Sequence, residues 1–515
     1  MNDLSTDAAA RRRQPQGMPS SSGLAARIAA MLAVDPGKPA IEFEGTWWTW
    51  GELADTVHRI AGLVPAPGAE VGILLRNRPA SIGALLGVLV AGGCVVTINP
   101  GRGADRIRDD IAELDLPVLV GEPADLATLV PDGLRATTVE VSRLGQAPVV
   151  RPGRKGTASS AGSDRKAVRP GIAVRMLTSG TTGPPKRVDL GISMLERVLV
   201  GAKHYESNRD DTVRLRRGVA IVNSPLVHLG GLFRVLQCVS DGRSFCLLER
   251  FQVDTWTDAV RRHRPATVSL VPAALRMVLD AGIDPEDLSS IRSVVSGTAP
   301  LDPDDADAFM DKYGIPVLVT YAATEFGGSV AGWNLADHEA FWTTKRGSVG
   351  RAHTGCELRV VDQDTGVVVG PDVEGLLEVK AAQHGDGAWV RTTDLARLDA
   401  DGFLFILGRA DQAIIRGGFK VRPDDIKAAL ERHPSVRGAA VVSRGDRRLG
   451  AVPVAVVELR PDAAPVSTEE LLTYAGSVLA RYELPTSIYV LDTLPRTDSG
   501  KVDLATIHAF LNGRT

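Results

Sequence analysis

The N-terminal part of the chain alternates between short apolar runs typical of strands and longer stretches with helical spacing. Pro39 to Glu44 and Thr46 to Trp50 flank Gly45 and predict a β-hairpin. Glu52 to Leu63 has the apolar spacing of a helix, and Val71 to Leu75 predicts a strand. Because strands then continue to alternate with helices, the pattern predicts a parallel α/β sheet.

The most apolar segment runs from Ile82 to Ile98. Gly92-Gly93 interrupts it and Asn99-Pro100 ends it, so it is too short and too broken to span a bilayer. We interpret it as a buried helix followed by a strand. Farther on, residues 143–171 are rich in Gly, Ser, Pro, Arg and Lys and predict an exposed connection. A second α/β unit is expected from Ile172 to Asp311.

A different pattern begins near Gly408. Gly402 to Gly408 predicts a short strand closed by glycines, and a smaller set of elements follows. Those elements are a helix from Pro423 with Ile426, Ala429 and Leu430 on one face, strands at 439–443 and 452–459, and a helix opened by the capping box of Ser467 and Glu470. The pattern predicts a separate small α+β domain whose boundary lies at residues 409–412.

Composition and charge exclude several classes of protein. The 515 residues include 59 Lys and Arg against 62 Asp and Glu, a net charge of −3 with 44% hydrophobic residues, which is typical of a globular protein. The chain lacks the basic excess that binds nucleic acid or anionic membranes. Four scattered cysteines and nine histidines form no C-x-x-C or H-E-x-x-H motif, so neither a disulfide framework nor a zinc site is indicated.

The N-terminal segment and the cysteines indicate the cellular compartment in which the protein is expected. Residues 1–23 carry Arg11 to Arg13 without an apolar core, so we expect a disordered tail rather than a signal peptide. A reduced, cytoplasmic protein without stable membrane insertion is expected. Its oligomeric state is left open, with a homodimer as one option.

The sharpest local motif is Leu177-Thr-Ser-Gly-Thr-Thr-Gly-Pro-Pro-Lys186. Its small and hydroxyl residues let backbone N–H groups turn toward an anion, and Lys186 adds a point charge, which suits a polyphosphate. It is not a Walker loop, because Pro185 precedes Lys186 and Arg187 follows it. Taken alone, the stretch is equally compatible with an ordinary surface turn.

Further motifs follow in order, and with this loop they resemble those of the adenylate-forming superfamily, which includes acyl-CoA and aryl-CoA synthetases, amino-acid adenylation domains and luciferases. The matching segments are Ser224–Gly231, Ser296–Leu301, Tyr321–Glu325, Arg346–Gly350, Arg391–Asp394, Gly408–Asp411 and Pro495–Lys501. The resemblance covers nearly the whole chain from about Pro39.

This resemblance implies an α/β fold with a large N-terminal domain of two αβ-layered subdomains plus a β-barrel-like part, followed by a small mobile α+β C-terminal domain. With the predicted boundaries, residues 1–23 are a tail, 24–409 the AMP-binding domain, and 410–515 a lid domain that carries a catalytic lysine.

The implied chemistry is activation of a carboxylic acid by ATP and Mg²⁺. An acid is a poor acyl donor, and adenylation makes pyrophosphate and then AMP the leaving groups, so catalysis is mainly charge neutralisation and alignment. The resemblance assigns phosphate binding to Thr178, Ser179, Gly180, Thr181, Thr182, Gly183 and Lys186. It assigns AMP binding to Gly297, Thr298, Ala299, Pro300, Tyr321, Ala322, Thr324, Asp394 and Arg409. Glu325 and Thr181 would hold Mg²⁺, and Lys501 would bridge the acid carboxylate and the α-phosphate.

The same resemblance bears on the two other substrates. Val227, His228, Gly297 and Gly327 are expected to line the acid pocket, and the glycines are expected to make room for a hydrophobic acid. The segment Leu226 to Gly231 contains no Asp to hold an ammonium group, which disfavours an amino acid. The acyl acceptor would be coenzyme A, with its pantetheine tunnel lined by Gly417 and Gly418 after the lid rotates about Asp411.

Alternatives and departures remain open on the residues alone. A carrier-protein thiol is the alternative acceptor, and a non-catalytic nucleotide-binding protein or a P-loop ATPase is the alternative class. Four positions depart from the family pattern, and two of them, Thr393 and Arg187, are bulky enough to crowd the site; the other two are Gln412 and Ile415.

Overall fold

The computed structural model describes residues 23–153, 171–177, 186–201, 212–384, 387–461, 463–497 and 500–513. The strands in these residues are β1 (Pro39–Phe43), β2 (Thr46–Thr49), β3 (Glu70–Leu74), β4 (Cys94–Ile98), β5 (Val118–Gly121), β6 (Thr137–Glu140), β7 (Val149–Arg151), β8 (Ile172–Leu177), β9 (Arg187–Gly191), β10 (Arg216–Val222), β11 (Arg243–Leu247), β12 (Thr267–Ser269), β13 (Ser293–Ser296), β14 (Val317–Ala323), β15 (Gly328–Gly332), β16 (Arg351–Ala352), β17 (Glu357–Val361), β18 (Gly375–Lys380), β19 (Val390–Leu398), β20 (Leu404–Arg409), β21 (Ile414–Arg416), β22 (Phe419–Val421), β23 (Val436–Asp446), β24 (Gly450–Leu459) and β25 (Ile488–Leu491).

The α-helices are α1 (Leu24–Leu32), α2 (Trp50–Ala61), α3 (Pro79–Val90), α4 (Ala104–Leu114), α5 (Pro123–Leu129), α6 (Ile192–Gly201), α7 (Leu229–Ser240), α8 (Val253–His263), α9 (Pro272–Asp280), α10 (Pro303–Tyr313), α11 (Leu335–Phe341), α12 (Pro423–Glu431), α13 (Thr468–Val478) and α14 (Leu504–Asn512). Short 3₁₀ turns lie between some of them, including Thr324–Phe326 and Ala410–Gln412.

Local sequence signals account for several of these elements. Glu44 and Gly45 have φ values of 49° and 76°, the left-handed pair that a tight hairpin turn needs, and β1 pairs antiparallel with β2 as predicted. Thr49 and Glu52 form a capping box at the start of α2. The stretch Ile82 to Ile98 is a buried helix followed by a strand, which confirms that interpretation.

The large domain contains a seven-stranded sheet in the order β7-β6-β5-β3-β4-β8-β9, parallel except at both edges, where β7 and β9 pair antiparallel. Beside it, β10, β11 and β1 run parallel, and β2 completes that four-stranded sheet. A second α/β unit is present in the sheet that begins with β12, but its expected start at Ile172 is wrong. Strands β8 and β9 join the first sheet and β10 and β11 join β1, because strand pairing between distant segments leaves no trace in local periodicity.

A third sheet follows the order β12-β13-β14-β15-β16, with β12, β13 and β14 parallel. Its core contains Trp256, Leu275 and Phe309 from three helices. The β-barrel-like part of the expected fold corresponds to a four-stranded antiparallel sheet, β17-β18-β19-β20, whose core is shared with Phe326 and Val330.

The C-terminal part has its own sheet and core. Strands β21 to β24 and the parallel β25 form one sheet, covered by α12 and α13 with Ile426, Leu430 and Leu471 fully buried. The predicted capping box of Ser467 and Glu470 opens α13. None of the described helices is long and apolar enough to cross a membrane.

Candidate active site

The carboxyl ends of three parallel strands, β12, β13 and β14, meet at one edge of the third sheet, which is where α/β proteins bind ligands. Val271 follows β12, Gly297 follows β13, and Glu325 follows β14. Gly297 lies directly against Thr320, since a Cβ added there would sit 2.8 Å from the Thr320 Cγ2 atom. At the end of β13 the Ser296 hydroxyl is buried and has no hydrogen-bond partner among the described residues, which leaves polar capacity for a ligand.

Three predicted nucleotide-binding residues come together from distant segments. Asp394 on β19 lies directly opposite Arg409 on β20, and the Tyr321 hydroxyl donates a hydrogen bond to the Asp394 carboxylate. The Arg409 guanidinium forms a bidentate pair with Asp411, at 2.8 Å and 2.6 Å. Thr393, between Thr392 and Asp394, is exposed on the opposite face of the strand and does not crowd Asp394.

The charges of this cluster perturb one another. Burial raises the pKa of Asp394, against the hydrogen bond from Tyr321 and the charge of Arg409. Burial and the neighbouring carboxylate also raise the pKa of the Tyr321 phenol, so that it remains a hydrogen-bond donor. Titratable groups that burial and charged neighbours shift in this way are concentrated at functional sites.

Lys501 is placed beside this cluster by a short, closed turn. Gly500 has a φ of 78° and its N–H donates to the Thr497 carbonyl at 2.8 Å, while the Thr497 N–H donates to the Lys501 carbonyl at 2.7 Å. A Cβ at Gly500 would lie 3.2 Å from the Val271 side chain, so the turn rests on the carboxyl end of β12.

Lys501 has charged neighbours of both signs. Burial lowers its pKa first, and the charge of Arg409 lowers it further, while Glu325 and Asp394 raise it. A half-buried ammonium group thus lies within electrostatic range of the predicted ribose and magnesium residues. This arrangement gathers Tyr321, Glu325, Asp394, Arg409 and Lys501 from four segments of the chain.

The Glu325 side chain is exposed to solvent. It lies in the 3₁₀ turn Thr324–Phe326, which Gly327 closes with φ 70° and an N–H bond to the Thr324 carbonyl at 2.9 Å. Among the described residues its carboxylate makes no hydrogen bond or ion pair. An exposed carboxylate with no partner among the described residues fits Mg²⁺, which usually binds one or two carboxylates and the substrate phosphates.

We expect Glu325→Gln to reduce Mg²⁺-dependent adenylation by at least about tenfold while leaving the free energy of unfolding within about 0.5 kcal/mol, because the group is exposed and makes no ion pair with any residue the structure describes. Adenylation is measured across a Mg²⁺ titration, and stability by thermal unfolding. Glu339→Gln, at an exposed helical position, is the control. A sharp drop in unfolding temperature with normal Mg²⁺ dependence would instead identify Glu325 as a structural residue.

The predicted phosphate loop joins β8 to β9. These two strands pair antiparallel, and Leu177 lies opposite Arg187. Thr178, Ser179, Gly180, Thr181, Thr182 and Gly183 lie outside the described residues, and Lys186 is exposed. The Arg187 guanidinium donates to the Asp110 carboxylate at 2.6 Å and to the Thr97 carbonyl at 3.1 Å. These contacts anchor β9 to α4 and β4.

The acid-pocket residues Val227 and His228 form the entry to α7, where His228 is the N-cap residue and Val227 is buried. Asn77, which the sequence analysis missed, holds this entry. Its side-chain amide donates to the Ser224 carbonyl at 3.0 Å, and its oxygen accepts from the Leu226 N–H at 2.7 Å. The signal available in the sequence was an Asn shortly after the predicted strand Val71 to Leu75 and shortly before Pro79.

The space expected beside two glycines is already filled. A Cβ at Gly327 would lie 2.3 Å from the Met194 sulfur atom, and at Gly297 it would meet Thr320. Gly327 therefore allows close packing against α6, and Gly297 allows close packing against β14. Neither glycine enlarges a pocket. Ala322 and Pro300 are exposed near them, Ala299 is half-buried, and Thr298 has a left-handed φ of 71°.

The predicted hinge residue and the predicted pantetheine-tunnel glycines lie where the large domain joins the C-terminal domain. Asp411 is in the 3₁₀ turn between β20 and β21, and Gln412 ends that turn. Gly417 and Gly418, with φ values of 57° and 92°, form the two-residue turn between β21 and β22 and are exposed. Ile415 on β21 is also exposed.

Ion pairs connect the two domains in this pose. Arg437 on β23 contacts Asp280 at the end of α9 at 2.7 Å and also pairs with the buried Glu458 at 3.0 Å. The second oxygen of Glu458 accepts from the Leu494 N–H at 2.9 Å, just before the Lys501 turn. Asp280 thus anchors the strand that supports that turn.

We expect Asp280→Lys to slow single-turnover adenylation by up to about fivefold, because exposed pairs contribute about 0.2–1 kcal/mol and a like charge opposes Arg437. Thioester formation from supplied acyl-AMP should not slow. Asp311→Lys, at an exposed position on α10, is the control. Equal loss in both half-reactions would show that the pair stabilises the fold and not this pose.

The sequence matches known enzyme families along most of its length. Residues 28–389 match the AMP-binding enzyme family and residues 425–501 match the AMP-binding enzyme C-terminal domain. The chain is 30% identical to an indoleacetate–CoA ligase of Aromatoleum aromaticum, covering 91% of this chain and 94% of that protein. It is 27% identical to a 4-coumarate–CoA ligase-like protein of Arabidopsis thaliana, covering 90% and 86%.

A solved structure is similar along its whole length. The o-succinylbenzoate coenzyme A synthetase of Bacillus subtilis, in complex with ATP and magnesium ion, aligns with a TM-score of 0.73 at 25% identity and covers 94% of this chain and 99% of that one. The order of the motifs, the convergence of the site residues and these matches all point to the same enzyme family. The chain belongs to the AMP-binding enzyme family, within the adenylate-forming superfamily.

Proposed function

We propose that this protein is an AMP-forming acid–CoA ligase that activates a hydrophobic carboxylic acid and transfers the acyl group to coenzyme A. The observation that carries the proposal is the convergence of Lys501, Glu325, Asp394, Arg409 and Tyr321 on the strand ends of the third sheet. The relatives that share the family are named for aromatic acids and coenzyme A, which supports the same class of reaction here.

In the first half-reaction, the acid carboxylate attacks the α-phosphorus of ATP and pyrophosphate leaves. Asp394 and Arg409 are placed to hold the ribose, and Tyr321 to contact the adenine with its ring. Lys501 supplies positive charge where the acid carboxylate and the α-phosphate approach each other, which is electrostatic stabilisation of the transition state. Glu325 would hold Mg²⁺, which would supply positive charge to neutralise the phosphates.

In the second half-reaction, a thiolate attacks the acyl carbonyl and AMP leaves. Gly417 and Gly418 face solvent in the described pose, so a rotation about Asp411 is needed to bring them to the acyl group. We also propose that the lid domain begins at residue 410 and that the protein is cytoplasmic. A homodimer is one option for its oligomeric state. The relatives are named as CoA ligases, which favours coenzyme A over a carrier-protein thiol as the acceptor.

Acid-dependent exchange of pyrophosphate into ATP tests the proposal. The panel includes indole-3-acetate, 4-coumarate, 2-succinylbenzoate, saturated fatty acids and amino acids, and each active acid is then assayed for thioester formation with coenzyme A. We expect exchange with one or more hydrophobic acids and none with amino acids. Exchange with no acid would contradict an adenylating enzyme, and adenylate formation without a CoA thioester would favour the carrier-protein alternative.

A further inference from the structure

One face of α6 lies across the turn that follows Glu325. A Cβ atom added to Gly327 would sit 2.3 Å from the Met194 Sδ atom and 2.8 Å from its Cγ atom. One helical turn farther along α6, Val198 is the neighbour of Gly328, with a Cγ1 atom 3.0 Å from an added Cβ atom. Residues four positions apart lie on the same face of a helix. Met194 and Val198 therefore pack side by side against the two glycines.

We propose that Met194 and Val198 form the end wall of the acid pocket and restrict this protein to compact acids, in which the carboxylate lies close to a single aromatic ring system. This inference rests on the proposed function, in which Gly327 lines the pocket. The acid carboxylate must meet the α-phosphate beside Lys501, so the rest of the acid extends from there toward the glycines. A long alkyl chain would have to continue between α6 and the turn, where the two side chains already lie.

Contacts on both sides of α6 hold this wall in position. The Glu196 carboxylate accepts a hydrogen bond from the Leu24 N–H at 2.7 Å, which ties α6 to the start of α1. The Arg197 guanidinium donates to the Gln383 carbonyl at 2.8 Å, which ties the helix to the short 3₁₀ turn before β19. Leu195 is fully buried in the same core as helices α2 and α3. Moving α6 aside to admit a longer acid would break these contacts.

The strand that follows the two glycines is also fixed. The Ser329 hydroxyl donates to the Tyr321 carbonyl at 3.1 Å and lies 2.8 Å from the His353 Nε2 atom. Val330 is fully buried in the core of the antiparallel sheet. These contacts oppose a movement of β15 away from α6. The end wall therefore changes mainly through the two side chains on α6.

The size of the expected effect follows from the side chain that is shortened. Truncation of Met194 to alanine removes the Cγ, Sδ and Cε atoms, roughly the room of two or three methylene groups. One methylene group more or less in a hydrophobic pocket changes kcat/KM by roughly 10–200-fold. Val198 is β-branched and keeps essentially one χ1 rotamer in a helix, so it remains as the stiff part of the wall.

The acid profile of Met194→Ala tests the inference on the full-length protein. Phenylacetate, its homologues lengthened by one methylene group at a time, and palmitate are compared by pyrophosphate exchange. We expect the wild-type protein to use the shortest members and not palmitate. In the variant, kcat/KM for the longer homologues relative to phenylacetate should rise by at least about tenfold. Because both acids are measured in one preparation, this ratio does not depend on the folded fraction.

Met310→Ala is the matched control, because Met310 is an exposed methionine on α10. Its ratio should equal that of the wild-type protein. Val198→Met, which lengthens the wall, should change the ratio in the opposite direction to Met194→Ala. Wild-type use of palmitate, or an unchanged ratio in Met194→Ala, would overturn this inference and leave the proposed function in place. Pyrophosphate exchange with no acid, in the wild-type protein and in every variant, would overturn both.

Discussion

Lys501→Ala is expected to lower the rate of acyl-adenylate formation by about 10²–10³-fold, the usual cost of removing one group that stabilises transition-state charge. Thioester formation from synthetic acyl-AMP should persist, because the charge is needed only while pyrophosphate leaves. Pyrophosphate release with an active acid measures the first half-reaction, and coenzyme A acylation with supplied acyl-AMP measures the second. Pyrophosphate release at the wild-type rate would contradict the assignment.

The expected stability of the same variant separates function from structure. Burial lowers the pKa of Lys501 below its usual 10.5, so the folded protein binds this proton less tightly than the unfolded chain does. The charged ammonium therefore disfavours the folded state below the lowered pKa, and this penalty fades as the pH rises toward 10.5. Replacing it should not reduce the unfolding temperature at neutral pH. Lys427→Ala, a partly exposed lysine on α12, is the control for both half-reactions.

The same lowered pKa gives a pH dependence. Adenylation by the wild-type protein should decline as the pH rises through the lowered pKa of Lys501, at a pH below 10.5, because the neutral amine no longer stabilises the developing charge. The half-reaction from acyl-AMP should not show this decline. An identical alkaline decline in both half-reactions would place the titrating group elsewhere.

The sequence predicts those parts of this molecule that depend on neighbouring residues. The Gly45 turn and the Ser467–Glu470 capping box each involve residues a few positions apart, and both form as predicted. The motifs also name the residues that converge on the third sheet, because each motif keeps its chemistry within a short segment. Their convergence could be inferred only from the family resemblance.

Contacts between residues that are far apart in the sequence were not predicted. The structure shows that Arg187 is bound by Asp110 and that Asn77 holds the entry to α7, both through partners more than seventy positions away. Burial of a single side chain is equally hard to infer, since Glu325 follows a strand yet is exposed. The space beside Gly327 depends on Met194 of α6, which no pattern around Gly327 reveals.

Asp411→Pro is expected to separate the two half-reactions. The residue lies in the 3₁₀ turn Ala410–Gln412, and the φ values of about −50° to −70° that are usual in such turns are ones that proline can adopt. Proline then fixes φ and opposes a large backbone rotation at this position. We expect near-normal pyrophosphate release in a single turnover, accumulation of bound acyl-AMP, and a fall of coenzyme A acylation by orders of magnitude.

Asp411→Ala distinguishes the backbone from the side chain. It removes the bidentate pair with Arg409 but leaves φ free, so any loss it causes reports on the position of the Arg409 guanidinium. If only proline blocks acylation, the requirement is rotation of the backbone, as expected of a hinge. A proportional loss of both half-reactions in the proline variant would indicate local distortion, and unimpaired thioester formation would show that the lid does not turn at Asp411.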